Sequence, residues 1–364
     1  MVSHDPSVTC RPTPSTTSEL SRGTFKPIPK PQANRLDYLN KGWRSAGLSE
    51  HASSLIALSW RDGTNKQYES AWQQWLRWCD SQSLDPFDSC IVNVINFLSA
   101  QQGLGKSYST INSYRSGLSS VLPPMEGFPV GKHPMVIRLL KGIFNANPPK
   151  PRYQSTWEVS RVLDYLCSMA ENYQLSLFHL SQKLVSLVAL VTAQRTQTLN
   201  HLDISFMHIS DDRAVFQVMD VLKTTTPKKG IAKQIVELPS FPSNKKLCVL
   251  LTLKEYLNRT KPLRECHGET KLFISTRKPH KSVTSSTLAR WLKFSLFASG
   301  IDTSVFSAHS FRSAATSSAF AHGVTLKEIM KKADWSNART FKTFYHKPVV
   351  EDGTFAFSVL AQAS

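Results

Sequence analysis

The chain runs to 364 residues and carries 44 Lys and Arg against 26 Asp and Glu, a formal charge of +18. That length suffices for two ordinary hydrophobic cores, and no apolar run approaches the ~18 residues of a helical membrane span. A cationic excess of this size favours a polyanionic partner, because a basic surface releases the counterions condensed on nucleic acid.

The six cysteines (Cys10, Cys79, Cys90, Cys167, Cys248, Cys266) are scattered, with no Cys-x-x-Cys and no paired metal spacing. Neither a zinc module nor a disulfide framework is expected, and a reducing intracellular compartment is. The first residues show no charged stretch followed by an apolar one, so no secretory signal is expected.

In chain order, residues 1 to about 45 hold six of the twenty prolines, many Ser and Thr and few large apolar residues. With Lys26-Pro27-Ile28-Pro29-Lys30-Pro31 inside it, the stretch 1–47 is expected to be a disordered, extended basic arm. The segment 53–60 is apolar enough for a leading helix. Tyr68, Trp72, Trp75, Leu76 and Cys79 then recur at helical spacing, as do Ile91, Val94, Ile95 and Leu98. Ile111, Tyr114, Leu118, Val121 and Leu122 make a third stripe, and Met135, Ile137, Leu140, Ile143 and Phe144 a fourth. Four short helices thus predict a small all-α bundle over 48–147. Aromatic residues in such stripes are core before they are base-stacking platforms. Between the stripes stand Lys66, Arg77, Lys106, Arg115, Arg138 and Lys141. A solvated charged face is the default for such residues, but their single sign favours phosphate contacts. The proline-rich, basic run from Pro148 through Lys150 to Arg152 is expected to be a semi-extended linker over 148–154, close to any bound polyanion.

The second half opens with a helical pattern at 159–166 and a strongly apolar run at 184–191 that suits a buried helix. The period changes at Ala214, Phe216 and Val218, which alternate as a strand does. Thr224 to Gly230 has turn composition, and 232–238 can return as the partner strand. Leu272-Phe273-Ile274-Ser275 is a short apolar segment, and the remainder reads as helices. The fold class expected is mainly α with a small antiparallel sheet, an α+β architecture.

Six residues carry candidate chemistry. Arg195 follows the apolar helix, where an Arg commonly complements the helix dipole or snorkels. Lys223 lies where a strand gives way to a turn. His309 precedes Arg312 by three residues, and positions i and i+3 of a helix share a face. Trp335 and Tyr345 follow, each most simply a packed aromatic. Together they hold the groups that phosphoryl transfer needs: guanidinium groups to grip a phosphate, a ring to orient the chemistry and a phenol to attack.

The order of the set, Arg195, Lys223, His309, Arg312, Trp335, Tyr345, resembles that of the tyrosine recombinases, the phage integrase family, over about 50–350. Ala193-Gln194-Arg195-Thr196-Gln197-Thr198-Leu199, Ala308-His309-Ser310-Phe311-Arg312 and Ala333-Asp334-Trp335-Ser336 are most similar to the recombinases of DIRS and Ngaro-type retrotransposons. Bacterial members commonly carry Gly at the Ala193 position and an acid at Thr198. They carry Gly-His where this chain has Asp334-Trp335, and one residue fewer before the tyrosine.

The resemblance implies that 48–147 is the helical, SAM-like core-binding domain, 155–350 the catalytic domain and 351–364 a tail that docks on a neighbouring protomer; from its apolar residues alone the tail could equally fold back onto its own domain. Tyr345 would attack a DNA phosphodiester to form a 3′-phosphotyrosyl bond while Arg195 and Arg312 clamp the phosphate oxygens. His309 would act as base or hydrogen-bond partner, Lys223 as acid to the leaving 5′ oxygen (with Lys228 and Lys229 as competitors), and Trp335 as indole donor. The partners implied are double-stranded DNA, contacted also by the cations named above, and further protomers in a synaptic complex. No metal or other cofactor and no membrane is implied. A mobile element's DNA is the implied substrate and the nucleus the implied compartment.

Overall fold

A computed structural model of the protein describes residues 34–149, 153–220, 222, 225, 234–265 and 268–345. The chain divides into two compact units, Met1–Lys150 and Pro151–Ser364.

The first unit contains α1 (Arg35–Ser45), α2 (Glu50–Ala57), α3 (Asp62–Ser81), α4 (Ile91–Gly103), α5 (Tyr108–Ser119) and α6 (Pro134–Ala146). The core stripes lie where 3.6-residue periodicity puts them. Trp72, Trp75, Leu76 and Cys79 of α3 face Val94, Phe97 and Leu98 of α4 and Ile111, Tyr114 and Leu118 of α5 in one apolar cluster. Fully burying a side chain such as Phe97 or Leu98 contributes about 1.5–3 kcal/mol. Where α3 crosses α5, a Cβ on Gly117 would stand 2.8 Å from the Ala71 Cβ, so the crossing admits only glycine.

Two expectations are corrected here. The stretch 1–47 is not all an arm: α1 occupies Arg35–Ser45, begun by the Asn34 side chain accepting from the Leu36 N–H. Its one buried residue is Arg35, which a reading of hydrophobic period does not count. The Arg35 guanidinium lies 4.6 Å from the Trp60 ring centroid and 5.5 Å from that of Tyr68, and donates to Asn65 Oδ1 (2.7 Å) and Ser120 Oγ (3.2 Å). Burial lowers its pKa below the usual arginine value, with Glu69 acting in the other direction. Tyr38 adds a stack on Phe87 at 4.5 Å. The stripe of α6 is also rephased. Val136, Leu140 and Ile143 are buried, at i, i+4 and i+7, whereas Met135, Ile137 and Phe144 are exposed. Pro134 opens the helix at its first position and His133 caps it through the Met135 N–H.

The second unit starts with α7 (Val159–Ser168), α8 (Leu177–Thr192) and α9 (Thr196–Asn200). Every residue from Leu180 through Ala189 is buried, the polar Ser181, Gln182, Lys183 and Ser186 included, so this part of the helix is enclosed on all sides. The sheet is antiparallel in the order β1 (Met207–Ile209), β2 (Arg213–Val218), β3 (Gln234–Pro239). Phe216 pairs with Met207 on one side and Val236 on the other, and Ala214, Phe216 and Val218 share the buried face. The third strand, β1, has only three residues, too few to show a period. The segment at 224–230 expected to turn between β2 and β3 lies almost entirely outside the described residues, as do residues 1–33 of the arm, Lys150 and Arg152 of the linker, and the tail. The unit continues with α10 (Val249–Glu265), α11 (Ser285–Ala298), α12 (Ser310–Ala321) and α13 (Leu326–Lys332). A short helix Ala338–Thr340 then runs into a π turn, Phe341–Tyr345. The architecture is therefore mainly α with one small antiparallel sheet.

Because α1 is seated through a charged side chain, Arg35→Ala is expected to cost the first unit about 3 kcal/mol, leaving Asn65 and the two rings without their partner. Trp43, Trp60, Trp72, Trp75 and Trp78 all belong to this unit, so urea unfolding followed by tryptophan fluorescence reads the loss. A change below about 1 kcal/mol would show the guanidinium to be dispensable.

Candidate active site

The corner is built where three helix ends meet. α8 stops because Ala193 adopts a left-handed conformation, φ 50° and ψ 27°, a backbone that an L side chain enters at a cost of about 1–2 kcal/mol. The reversal sets Arg195 at the N-cap position of α9. Arg195 is half-buried, and its guanidinium makes no hydrogen bond or ion pair with the described residues. α13 is opened by a reciprocal capping box between Thr325 and Glu328. Beyond its end Asp334 takes a second left-handed conformation, φ 51°, and Trp335 follows.

Arg312, in the first turn of α12, joins these two ends. It is 1% exposed. Its Nη1 donates to the Ala193 carbonyl at 2.8 Å and its Nη2 to the Ala333 carbonyl. Gln194 makes a parallel tie, donating through Nε2 to the Lys332 carbonyl (2.8 Å) and accepting from Gln234 of β3 (2.9 Å). The Arg312 guanidinium stands 4.6 Å from the Trp335 ring centroid and 5.6 Å from that of Tyr345. Burial, then the neighbouring Arg195 charge, lower its pKa to about 10, against the pull of Tyr345 and Asp334. It remains a cation at neutral pH. Two like charges are thus held as neighbours, and Asp334, whose charge also acts on Arg312, forms no ion pair with it.

The phenol is held at both ends. Tyr345 is 9% exposed. Its hydroxyl lies 3.0 Å from His309 Nε2, and its ring centroid 4.4 Å from that of Trp335. Its backbone carbonyl accepts from Ser313 Oγ (3.3 Å) and Ser317 Oγ (2.5 Å) of α12. His309, at the N-cap position of the same helix, is exposed. One helix therefore carries the imidazole, the buried guanidinium and both hydroxyl anchors, at i, i+3, i+4 and i+8, all turned to one side. Arg312 Nε and Trp335 Nε1 are buried donors with no acceptor among the described residues, suited to the oxygens of an anion.

Of the six residues singled out in the sequence, the structure brings Arg195, His309, Arg312, Trp335 and Tyr345 together. Lys223, with Lys228 and Lys229, lies outside the described residues. In the first unit Lys66, Arg77, Lys106, Arg138 and Lys141 are exposed. Lys66 and Arg77 share a face of α3, being three turns apart, and Arg138 and Lys141 share one of α6. Arg115 is half-buried and also has a partner inside the protein. It buries Nε and donates through Nη1 to the Gly131 carbonyl at 3.1 Å, fastening α5 to the loop before α6. Among the described residues no cluster of His, Cys, Asp or Glu could hold a metal ion. Sequence reasoning missed Ser313, Ser317 and Gln194. The only trace of the serines was polar residues four apart inside a predicted helix.

A model of the phage integrase family matches residues 158–349. Among solved structures, the chain is similar to the XerH site-specific recombinase bound to palindromic difH substrate in a post-cleavage complex. The identity is 13%, coverage is 82% of this chain and 80% of that one, and the TM-score is 0.55. The XerH pre-cleavage complex gives 12%, 92%, 90% and 0.53 in the same order, and the Tn1549 transposon integrase in complex with transposon right end DNA gives 15%, 90%, 100% and 0.52. At such identities the likeness is one of fold. No curated protein matches the chain. The family match covers more than half of the 364 residues and includes all five residues of the corner, and on that ground the chain belongs to the phage integrase family, the tyrosine recombinases.

Proposed function

We propose that the protein is a site-specific DNA recombinase that cleaves and rejoins strands through a 3′-phosphotyrosyl intermediate. The observation that carries this reading is the Tyr345 hydroxyl, 3.0 Å from His309 Nε2, in a corner with two guanidinium groups. A tyrosine phenol has an ordinary pKa of about 10 and is a weak nucleophile at neutral pH until a base takes its proton. His309 is at hydrogen-bond distance for that transfer. The Tyr345 oxygen attacks phosphorus in line, the P–O5′ bond breaks, and the 5′ oxygen leaves with a proton supplied by Lys223. Arg195 and Arg312 neutralise charge gathering on the non-bridging oxygens, which is commonly the largest contribution in such sites. Attack of a second 5′-hydroxyl on the phosphotyrosine reverses the step and joins the new strand.

The exposed Lys66, Arg77, Lys106, Arg138 and Lys141 of the first unit, with Lys150 and Arg152, would contact DNA phosphates. Double-stranded DNA, further protomers in a synaptic complex, integration of a DIRS or Ngaro-type element's DNA and a nuclear location complete the proposal. The motifs around Arg195, Arg312 and Trp335 support that narrower assignment.

The decisive measurement uses a nicked suicide substrate. The unaltered protein should become covalently attached to DNA, and Tyr345→Phe should abolish attachment while binding DNA within about twofold of the parent. A Phe variant that still traps DNA removes Tyr345 from its role, and binding without any trapping by the parent points to a DNA-binding protein that does not exchange strands.

The paired guanidinium groups make a second prediction, independent of turnover. Phosphate or sulfate at about tenfold excess over its Kd should stabilise the folded protein by about 1.4 kcal/mol, or roughly 3–5 °C in Tm for a domain of this size. Chloride at equal ionic strength should not do so, and Arg195→Ala should lose most of the shift. Equal shifts in parent and variant would show that the anion does not bind at this corner.

A further inference from the structure

Two aromatic side chains at the very start of the second unit grip the turn that carries His309. Tyr153 Oη lies 2.7 Å from Ser307 Oγ and accepts from the Ser307 N–H at 3.3 Å, while its ring stacks on Phe306 at 5.4 Å. Trp157, 4% exposed, donates its indole N–H to Ser310 Oγ at 2.8 Å. That hydroxyl in turn donates to the Ser307 carbonyl at 2.7 Å, and the Trp157 ring meets Phe311 edge-on at 5.1 Å. Ser307 and Ser310 flank His309, and both are bonded to a segment about 150 residues earlier in the chain.

The imidazole itself is exposed, so neighbours cannot set its place by enclosing it. Its place follows from the backbone of the turn, and that backbone is fixed by these hydrogen bonds. Core packing alone asks less of the two rings. Trp157 and Phe311 belong to the unit's main apolar cluster, and a phenyl ring at either position would still fill apolar space. The polar atoms of Tyr153 and Trp157 are spent instead on the residues beside the base. A proton transfer across 3.0 Å tolerates little displacement, since a misplacement of about 1 Å can cost a hundredfold in rate.

We propose that Tyr153 and Trp157 are positioning residues for His309, holding its ring in register with the Tyr345 hydroxyl through Ser307 and Ser310. This inference rests on the phosphotyrosyl reading. Neither side chain is within reach of the reacting atoms by any contact described above. Both act through the turn.

The test is a double-mutant cycle on the full chain with the nicked suicide substrate at saturating DNA. Tyr153→Phe with Trp157→Phe keeps both sites aromatic and deletes the phenol oxygen and the indole donor. It should slow covalent attachment about 10–100-fold, leave the DNA Kd within about twofold and shift the pH dependence of the rate. In a His309→Ala background the same pair of changes should cost less than about threefold, because a misplaced base that is already absent cannot be misplaced again. Ser307→Ala with Ser310→Ala, which deletes the partners from the other side, should reproduce the pattern. It also serves if the aromatic pair lowers Tm by more than a few degrees. A rate equal to the parent's, or an equal fold-loss with and without His309, overturns the inference while the phosphotyrosyl reading stands. Absence of covalent attachment by the parent itself removes both.

Discussion

The second unit depends on a contact that electrostatics alone would forbid: the Arg312 cation, buried to 1% exposure, beside the Arg195 cation. Removing a guanidinium from water is costly unless its N–H groups find acceptors. Here two backbone carbonyls supply them, and both lie where helices have just ended. Ala193 and Ala333 have carbonyls to offer because the left-handed residues Ala193 and Asp334 break the helical ladder at those points. Backbone strain, helix termination and charge burial are thus one arrangement. Each would be unfavourable alone. Arg312 is at once a structural rivet and the group best placed to meet an anion, with Nε still undirected among the described residues.

Around that rivet, α12 acts as a ruler. It sets His309, Arg312, Ser313 and Ser317 on one side, and those four residues reach the hydroxyl, the ring and the carbonyl of Tyr345. Base and phenol are therefore both referred to one rigid element, which bears the imidazole at its start and the two hydroxyls that hold the Tyr345 carbonyl. The small cluster of Ile329, Ala333, Trp335 and Phe341 closes the far side of the phenol.

Much of this was legible in the sequence wherever the signal was periodic and apolar. The stripes at Trp72–Cys79, Val94–Leu98 and Ile111–Leu118, the buried run in α8 and the alternation in β2 all appear where spacing put them. Legibility failed where stability came from another source. α1 is seated by an arginine between two rings, and no hydropathy count registers that. In α6 the apolar residues outnumber the buried positions, so composition does not tell which of them face the core. β1 is too short to have a period. The members of the Arg195 to Tyr345 set were distinguishable from ordinary packed aromatics and surface cations only by their order and by family resemblance. Their partners were not distinguishable at all, because a carbonyl has no sequence signature, and Ser313 or Ser317 looks like any serine in a helix.

The turn that ends at Tyr345 carries one more consequence. A π turn closes i→i+5 where an α turn closes i→i+4, so it lodges an additional residue over nearly the same rise. With Phe341–Tyr345 wound in this wider way, the last turn before the phenol holds one residue more than an α turn of about the same rise. Loop length and helical pitch can thus trade against each other along this path, and a one-residue gap in an alignment here need not mean that the phenol has moved.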